Sequence, residues 1–315
     1  GQPDFVREVL KENNQDYIGG FMIGSETYIP AKEYITKPGP HLGWKYAFEK
    51  QWLFYKTWGR LLYDPDTKDE VFANVFNQKY GIDYGNKLIE AHKLADKMPL
   101  KLASFYAASW DFTLYSEGFL AGYRSNMRCL YDQVSPFISV NEIISTVTLD
   151  TSLVSIKDYV AGNFTGQDKI NPLQLADELE RDGNNALAII RNIETDDPAL
   201  KHEISDIKTW SYLGLYFSEK LKGGTALQFY RKTGETGKQK ESIQHLEQAL
   251  SHWEKVVTIT GEYIDEFPLL HLGDRFNNGG NIRPLSGFSW ANLTDEVRND
   301  IEIAKNSAPG ENDTR

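Results

Sequence analysis

One short apolar run constrains this chain more than any other feature. Tyr17-Ile18-Gly19-Gly20-Phe21-Met22-Ile23-Gly24 follows a helical segment and lacks the polar alternation of a half-exposed strand. Its length and continuous hydrophobicity predict a strand buried on both faces. Such a strand cannot stand alone, because its backbone groups need sheet partners. Partners are scarce in the rest of the sequence. Phe137 to Val140 and Ser145 to Leu149 are β-branched, but short and isolated. The strand therefore borrows its sheet from a few distant segments or from outside these 315 residues.

Almost everything else carries apolar residues at spacings of three and four. Pro3 to Asn13 places Phe5, Val6, Val9 and Leu10 on one stripe, and Pro3 suits a first helical turn. Leu42 to Tyr63 reads as one long aromatic helix containing Trp44, Phe48, Trp52, Tyr55 and Trp58, ended by Asp64-Pro65. Thr67-Lys68-Asp69-Glu70 has the pattern of a capping box. The helix it opens is expected to stop at Gly81, in the left-handed closing position. Gly85 to Met98 and Leu100 to about Asp132 follow, the latter with a break near Gly118 or Gly122. Asn171-Pro172 and Asp197-Pro198 start two long helices expected to reach Ile193 and Lys222, and Gly223-Gly224 separates the second from Thr225 to Lys232. Gln239 to Thr260 aligns Ile243, Leu246, Leu250, Trp253 and Val257, and Thr294 caps a last helix. No repeat of solenoid length is present. The expected fold is mainly α: an irregular antiparallel bundle of about nine helices with an N-terminal αβ remnant. The expected divisions are an αβ unit over 1–40, the bundle over 41–306 and a disordered tail over 307–315.

Charge narrows the function classes. Lys plus Arg is 34 and Asp plus Glu is 45, a formal charge of −11. That acidity argues against broad nucleic-acid binding and against docking on anionic lipid. No run of about 18 apolar residues is present for a membrane span. The lone Cys129 permits no intrachain disulfide and does not fix the compartment. The start, Gly1-Gln2-Pro3, has neither Met nor a signal peptide, as expected of a mature form, a trimmed chain or a fragment. Phosphate-binding glycine loops, HExxH and GxSxG are absent, so no cofactor and no metal are expected. His245 and His252 share a helix face, but no supporting ligand stands at a suitable sequence spacing.

The remaining chemistry points to sugars. Glu26 directly follows the predicted strand, and function in parallel α/β architectures clusters at the carboxyl ends of strands. There it is the candidate catalytic carboxylate, beside Tyr28. Trp110-Asp111 sits among Phe105, Tyr106, Phe112 and Tyr115. An aromatic face stacks on the C–H patches of a sugar while a carboxylate takes its hydroxyls, so this pair is a candidate subsite. Arg275 and Arg283 flank a Gly- and Asn-rich loop and could grip a carboxylate in bidentate fashion.

One stretch is more specific. Trp58-Gly59-Arg60-Leu61-Leu62-Tyr63-Asp64-Pro65-Asp66, running on to Lys79-Tyr80-Gly81, resembles the junction after the barrel in α-glucuronidase-like glycoside hydrolases of family 67. Gly19 to Tyr28 resembles that family's last barrel strand, with Glu26 near where the family carries Asp. Leu175 to Ile193 and Gln239 to Thr260 resemble the helical C-terminal region of large polysaccharide-degrading enzymes. The resemblance implies the end of a (β/α)8 barrel followed by a helical region that supports the barrel and rims the sugar cleft. It implies an oligosaccharide or polysaccharide as partner and a periplasmic or extracellular setting. It does not imply catalysis by these residues alone, since glycosidase chemistry needs two placed carboxyl groups and the match offers one. Two other readings compatible with the residues are a non-catalytic, exported glycan-binding helical protein and a scaffold that forms a homodimer.

Overall fold

The computed structural model describes residues 2–13, 15–21, 36–37, 44–106, 137–164, 168–265 and 289–311. These hold twelve α-helices and one 3₁₀ turn, with no strand longer than an isolated bridge. The mainly helical architecture expected from the apolar periodicity is what forms. Contacts divide the chain into two compact units. Unit 1 comprises Gly1–Lys97, Asn185–Lys208 and Tyr263–Asp265, and unit 2 comprises Met98–Asn184, Thr209–Glu262 and Glu266–Arg315.

Unit 1 is built from α1 (Pro3–Asn13), α2 (Ala47–Lys50), α3 (Trp52–Tyr63), α4 (Asp69–Tyr80), α5 (Gly85–Ala95) and the start of α10 (Pro198–Thr233). The expected single helix over 42–63 is two, interrupted at Gln51. Helix α4 ends at Gly81, whose φ of 64° is the left-handed value anticipated for it. The capping box expected at its start does not form. The N-cap is Lys68, without a side-chain cap, because the Thr67 hydroxyl donates to Asp64 Oδ2 at 3.2 Å. Asp69 and Glu70 still place negative charge on the first turn, where the helix dipole favours it. Phe72, Phe76 and Leu88 are fully buried between α4 and α5.

Gly85 makes that packing possible. A Cβ there would lie 2.2 Å from the Ala73 carbonyl oxygen, and its N–H donates to Asn77 Oδ1 at 2.8 Å. Gly85→Ala is expected to cost about 1–3 kcal/mol, because backbone cannot swing aside as a flexible side chain can. Gly59→Ala, on an exposed helical position with open space around it, is the control and should be neutral or slightly stabilising. Equal urea midpoints for the two variants would contradict a close approach of Gly85 to the Ala73 carbonyl.

The described part of the apolar run corrects the strand expectation. Tyr17 is 83% exposed, Ile18 and Phe21 are also exposed, and the Ile18 N–H turns back to the Gln15 carbonyl at 2.9 Å. No ladder reaches residues 15–21, since the described residues offer no sheet edge to pair with. Residues 22–24 of the run lie outside the described residues.

Unit 2 gathers α6 (Lys97–Phe105), α7 (Val140–Ser145), α8 (Ile156–Ala161), most of α9 (Pro172–Ile190), the rest of α10, α11 (Thr236–Tyr263), a 3₁₀ turn (Trp290–Leu293) and α12 (Thr294–Asn306). Helix starts follow local chemistry. Asn171 Oδ1 accepts from the Leu173 and Gln174 N–H groups, and Asp197 Oδ1 accepts from that of Leu200. Ser139 and Glu142 form a reciprocal capping box on α7. Helix α10 runs unbroken through Gly223-Gly224, against the expected separation there. A Cβ on Gly223 would lie 2.9 Å from Leu246 Cγ, so the glycine admits the α11 side chain. The face of α11 predicted from spacing is the buried one, with Leu246 and Trp253 inside and Ile243, Leu250 and Val257 packed against the core. Past α12, Arg231 Nη2 donates to Ser307 Oγ at 2.8 Å, and the Gly310 N–H reaches the Arg231 carbonyl. No described helix is long and apolar enough to cross a membrane.

Candidate functional site

The residues singled out from sequence, Glu26, Tyr28, Trp110, Asp111, Arg275 and Arg283, lie outside the described residues, as does Cys129. Among the described residues the densest chemistry is in unit 1, around Glu203. This carboxylate stands two turns into α10, almost fully buried. Its Oε1 accepts from Trp52 Nε1 at 2.8 Å and from the Tyr80 hydroxyl at 3.0 Å. Its Oε2 stands 3.6 Å from His92 Nε2, close enough for an ion pair and too far for a good hydrogen bond. On the other side of the imidazole, Nδ1 lies 3.5 Å from Asp96 Oδ1. The Phe76 ring stacks on His92 at 6.0 Å.

Two carboxylates around one buried imidazole set its charge. Burial alone would drive His92 neutral, but Asp96, then Glu203, reverse that and raise its pKa from 6.5 to about 9. Burial likewise opposes the Glu203 charge, yet the facing His92 imidazolium, the Lys50 charge and the Trp52 N–H bring its pKa down to about 2. Near neutral pH His92 holds its proton and Glu203 stays ionised. Glu203 is an acceptor that fixes two half-buried aromatic side chains by their polar tips.

Those aromatics continue to the surface. Trp52 and Tyr80 meet at 65° with centroids 6.5 Å apart, and Lys79 Nζ stands over both rings, at 5.7 and 5.6 Å. One turn earlier, Tyr46 and Phe48 stack at 5.4 Å and 8°, and they are 36% and 50% exposed. Glu49 fixes the turn beneath them, its Oε2 accepting the Lys45 N–H at 2.7 Å and the Tyr46 N–H at 2.9 Å. Those two backbone bonds, with help from the Lys79 charge, hold the Glu49 carboxyl below its usual range. Lys50 pairs with Asp206, and Trp44 packs edge-on against His202 at 5.2 Å.

Two other features of the described residues resolve as structure. A concavity of about 810 Å³ is lined by Arg7, Pro65, Thr67, Asp69, Asn86 and Lys93. Arg7 and Lys93 both bind the Asp69 carboxylate there, at 2.7 and 2.9 Å. In unit 2, His245 Nδ1 lies 2.7 Å from Glu219 Oε2, a carboxylate on α10 that no spacing along α11 reveals. Among the described residues no three His, Cys, Asp or Glu side chains are arranged to hold a metal ion.

No protein-family model matches the chain, and no curated protein does. Among solved structures, a GH138 enzyme targeting pectin rhamnogalacturonan II is similar, with a TM-score of 0.68 and 15% identity. The likeness covers 97% of this chain and 44% of that one, so the chain spans less than half of that enzyme's length. The chain thus shares the fold of part of a glycoside hydrolase. That enzyme is of family 138 rather than 67, so the likeness extends to a glycoside-hydrolase-like fold and not to the α-glucuronidase family in particular.

Proposed function

We propose that this chain is the helical part of a carbohydrate-degrading glycoside hydrolase, where it supports a catalytic barrel and rims the sugar cleft. The observation that carries the proposal is the fold likeness to a pectin-targeting enzyme over 97% of the chain. One feature is in keeping with a supporting role. The described carboxylate–imidazole cluster is engaged within unit 1, where Glu203 holds Trp52 and Tyr80 by hydrogen bonds and faces His92 at 3.6 Å. Glu26 and Tyr28 are proposed for the cleft rim, and Trp110, Asp111, Arg275 and Arg283 for sugar contacts. In the protein at its natural full length, Glu26→Ala should lower turnover of a pectic substrate by about tenfold or more, as loss of a placed acid or base does. The folded state should be unchanged by circular dichroism. Wild-type kinetics in that variant would remove Glu26 from the site.

A further inference from the structure

We propose that Tyr46, Phe48, Trp52 and Tyr80, together with Lys45 and Lys79, form a binding platform for a carboxylated oligosaccharide. That the ligand is a sugar rests on the carbohydrate reading above. That it is acidic rests on the residues themselves.

Three observations converge. First, the exposed pair Tyr46–Phe48 is a stacked, parallel apolar surface left open to water. Exposed aromatic surface of this kind is costly to keep unless something covers it in use. Second, both aromatic pairs are held rigid from below. Glu49 fastens the backbone under Tyr46, and the buried Glu203 fastens Trp52 Nε1 and the Tyr80 hydroxyl through one oxygen. Surfaces set in place before binding lose little freedom on binding. Third, two ammonium groups stand at the patch, and the one carboxylate named beside them, Glu49, is held by backbone N–H groups. Lys45 Nζ lies 5.4 Å over the Tyr46 ring and Lys79 Nζ lies over Trp52 and Tyr80, and neither makes an ion pair among the described residues. In a chain of net charge −11, two cations on aromatic faces, without an ion pair among the described residues, mark a place where negative charge is welcome. A pyranose offers both parts of the match: C–H faces for the rings and, when oxidised to a uronate, a carboxylate for the lysines.

The test is calorimetric titration of the protein with an oligogalacturonate and with a neutral maltooligosaccharide of equal length. The acidic ligand should bind about tenfold or more tightly than the neutral one, the equivalent of one good charged contact. Its advantage should shrink as salt is raised. Tyr46→Ala with Phe48→Ala should weaken both ligands by about tenfold, while Lys45→Gln with Lys79→Gln should abolish the preference for the acidic one. All four side chains are exposed and carry none of the hydrogen bonds that hold the turn, so the variants should melt as the wild type does. Trp52 is left intact because it anchors Glu203. Equal binding of the two ligands, or variants with unchanged affinity, would overturn the platform. So would an absence of saccharide binding accompanied by variants that change the protein's oligomeric mass, which would make the patch a protein interface. Hydrolysis of pectin by a protein whose patch variants bind normally would sink the platform and leave the enzyme reading standing. Loss of binding in the variants without any hydrolysis would do the reverse.

Discussion

Lys220→Ala should destabilise unit 2 by about 3–5 kcal/mol, the usual cost of stripping one partner from a buried ion pair. The ammonium is fully enclosed. It pairs with Asp300, donates to the Tyr216 hydroxyl at 3.0 Å and lies 4.3 Å over the Phe137 ring. Burial pushes the Lys220 pKa down and that of Asp300 up, so each group keeps its charge only through the other. Asp300 also accepts the Val140 N–H at 2.7 Å, fastening the start of α7 to α12. Removing Lys220 leaves a buried carboxylate that must take up a proton or find water. Lys220→Met combined with Asp300→Asn keeps an acceptor for Val140 and fills the volume, and it should recover most of the loss. Urea midpoints decide this: a single variant within about 1 kcal/mol of wild type, well short of that usual cost, would show that the pair is not the buried tie described.

Glu203→Ala should cost unit 1 a similar amount, about 3–5 kcal/mol. The substitution removes one of the two carboxylates that face the His92 cation and orphans the Trp52 N–H and the Tyr80 hydroxyl at once. The same cluster makes unit 1 pH-dependent, with a sign that follows from the shifts. His92 rises from 6.5 to about 9 on folding, so its contribution is complete below 6.5 and is lost as pH climbs through about 9. Glu203 falls from 4.5 to about 2, so its contribution is complete above 4.5 and is lost as pH drops through about 2. Glu203→Gln keeps an acceptor for Trp52 and Tyr80 but not the charge, and should flatten the alkaline limb. Urea midpoints at neutral and alkaline pH test this. A wild-type midpoint that does not fall between pH 6.5 and 9 would contradict a charged, buried His92.

What sequence reveals here divides by distance along the chain. Gly81, Asn171-Pro172 and Asp197-Pro198 act on their own helix ends, so their roles were legible without the fold. The Ser139-to-Glu142 capping box was equally local, but the β-branched residues on either side masked it. Gly223-Gly224 reads as a breaker, yet it serves an approach by Leu246 that only packing creates. Thr67 has the right spacing for a cap and a nearer partner in Asp64. The Glu203 cluster was out of reach for the same reason. Trp52, Tyr80 and His92 come from three helices of one sequence region, and the carboxylate that organises them arrives from α10. His92 with Asp96, one helical turn later, was the single local clue.

The proposal of sugar chemistry rests on the likeness in fold. Its most direct test is to incubate the protein at its natural full length with pectic polysaccharides, rhamnogalacturonan II among them, and measure the release of reducing ends. Release from at least one of them is expected, reduced in Glu26→Ala. No release from any, by a protein shown to be folded, would contradict the proposal.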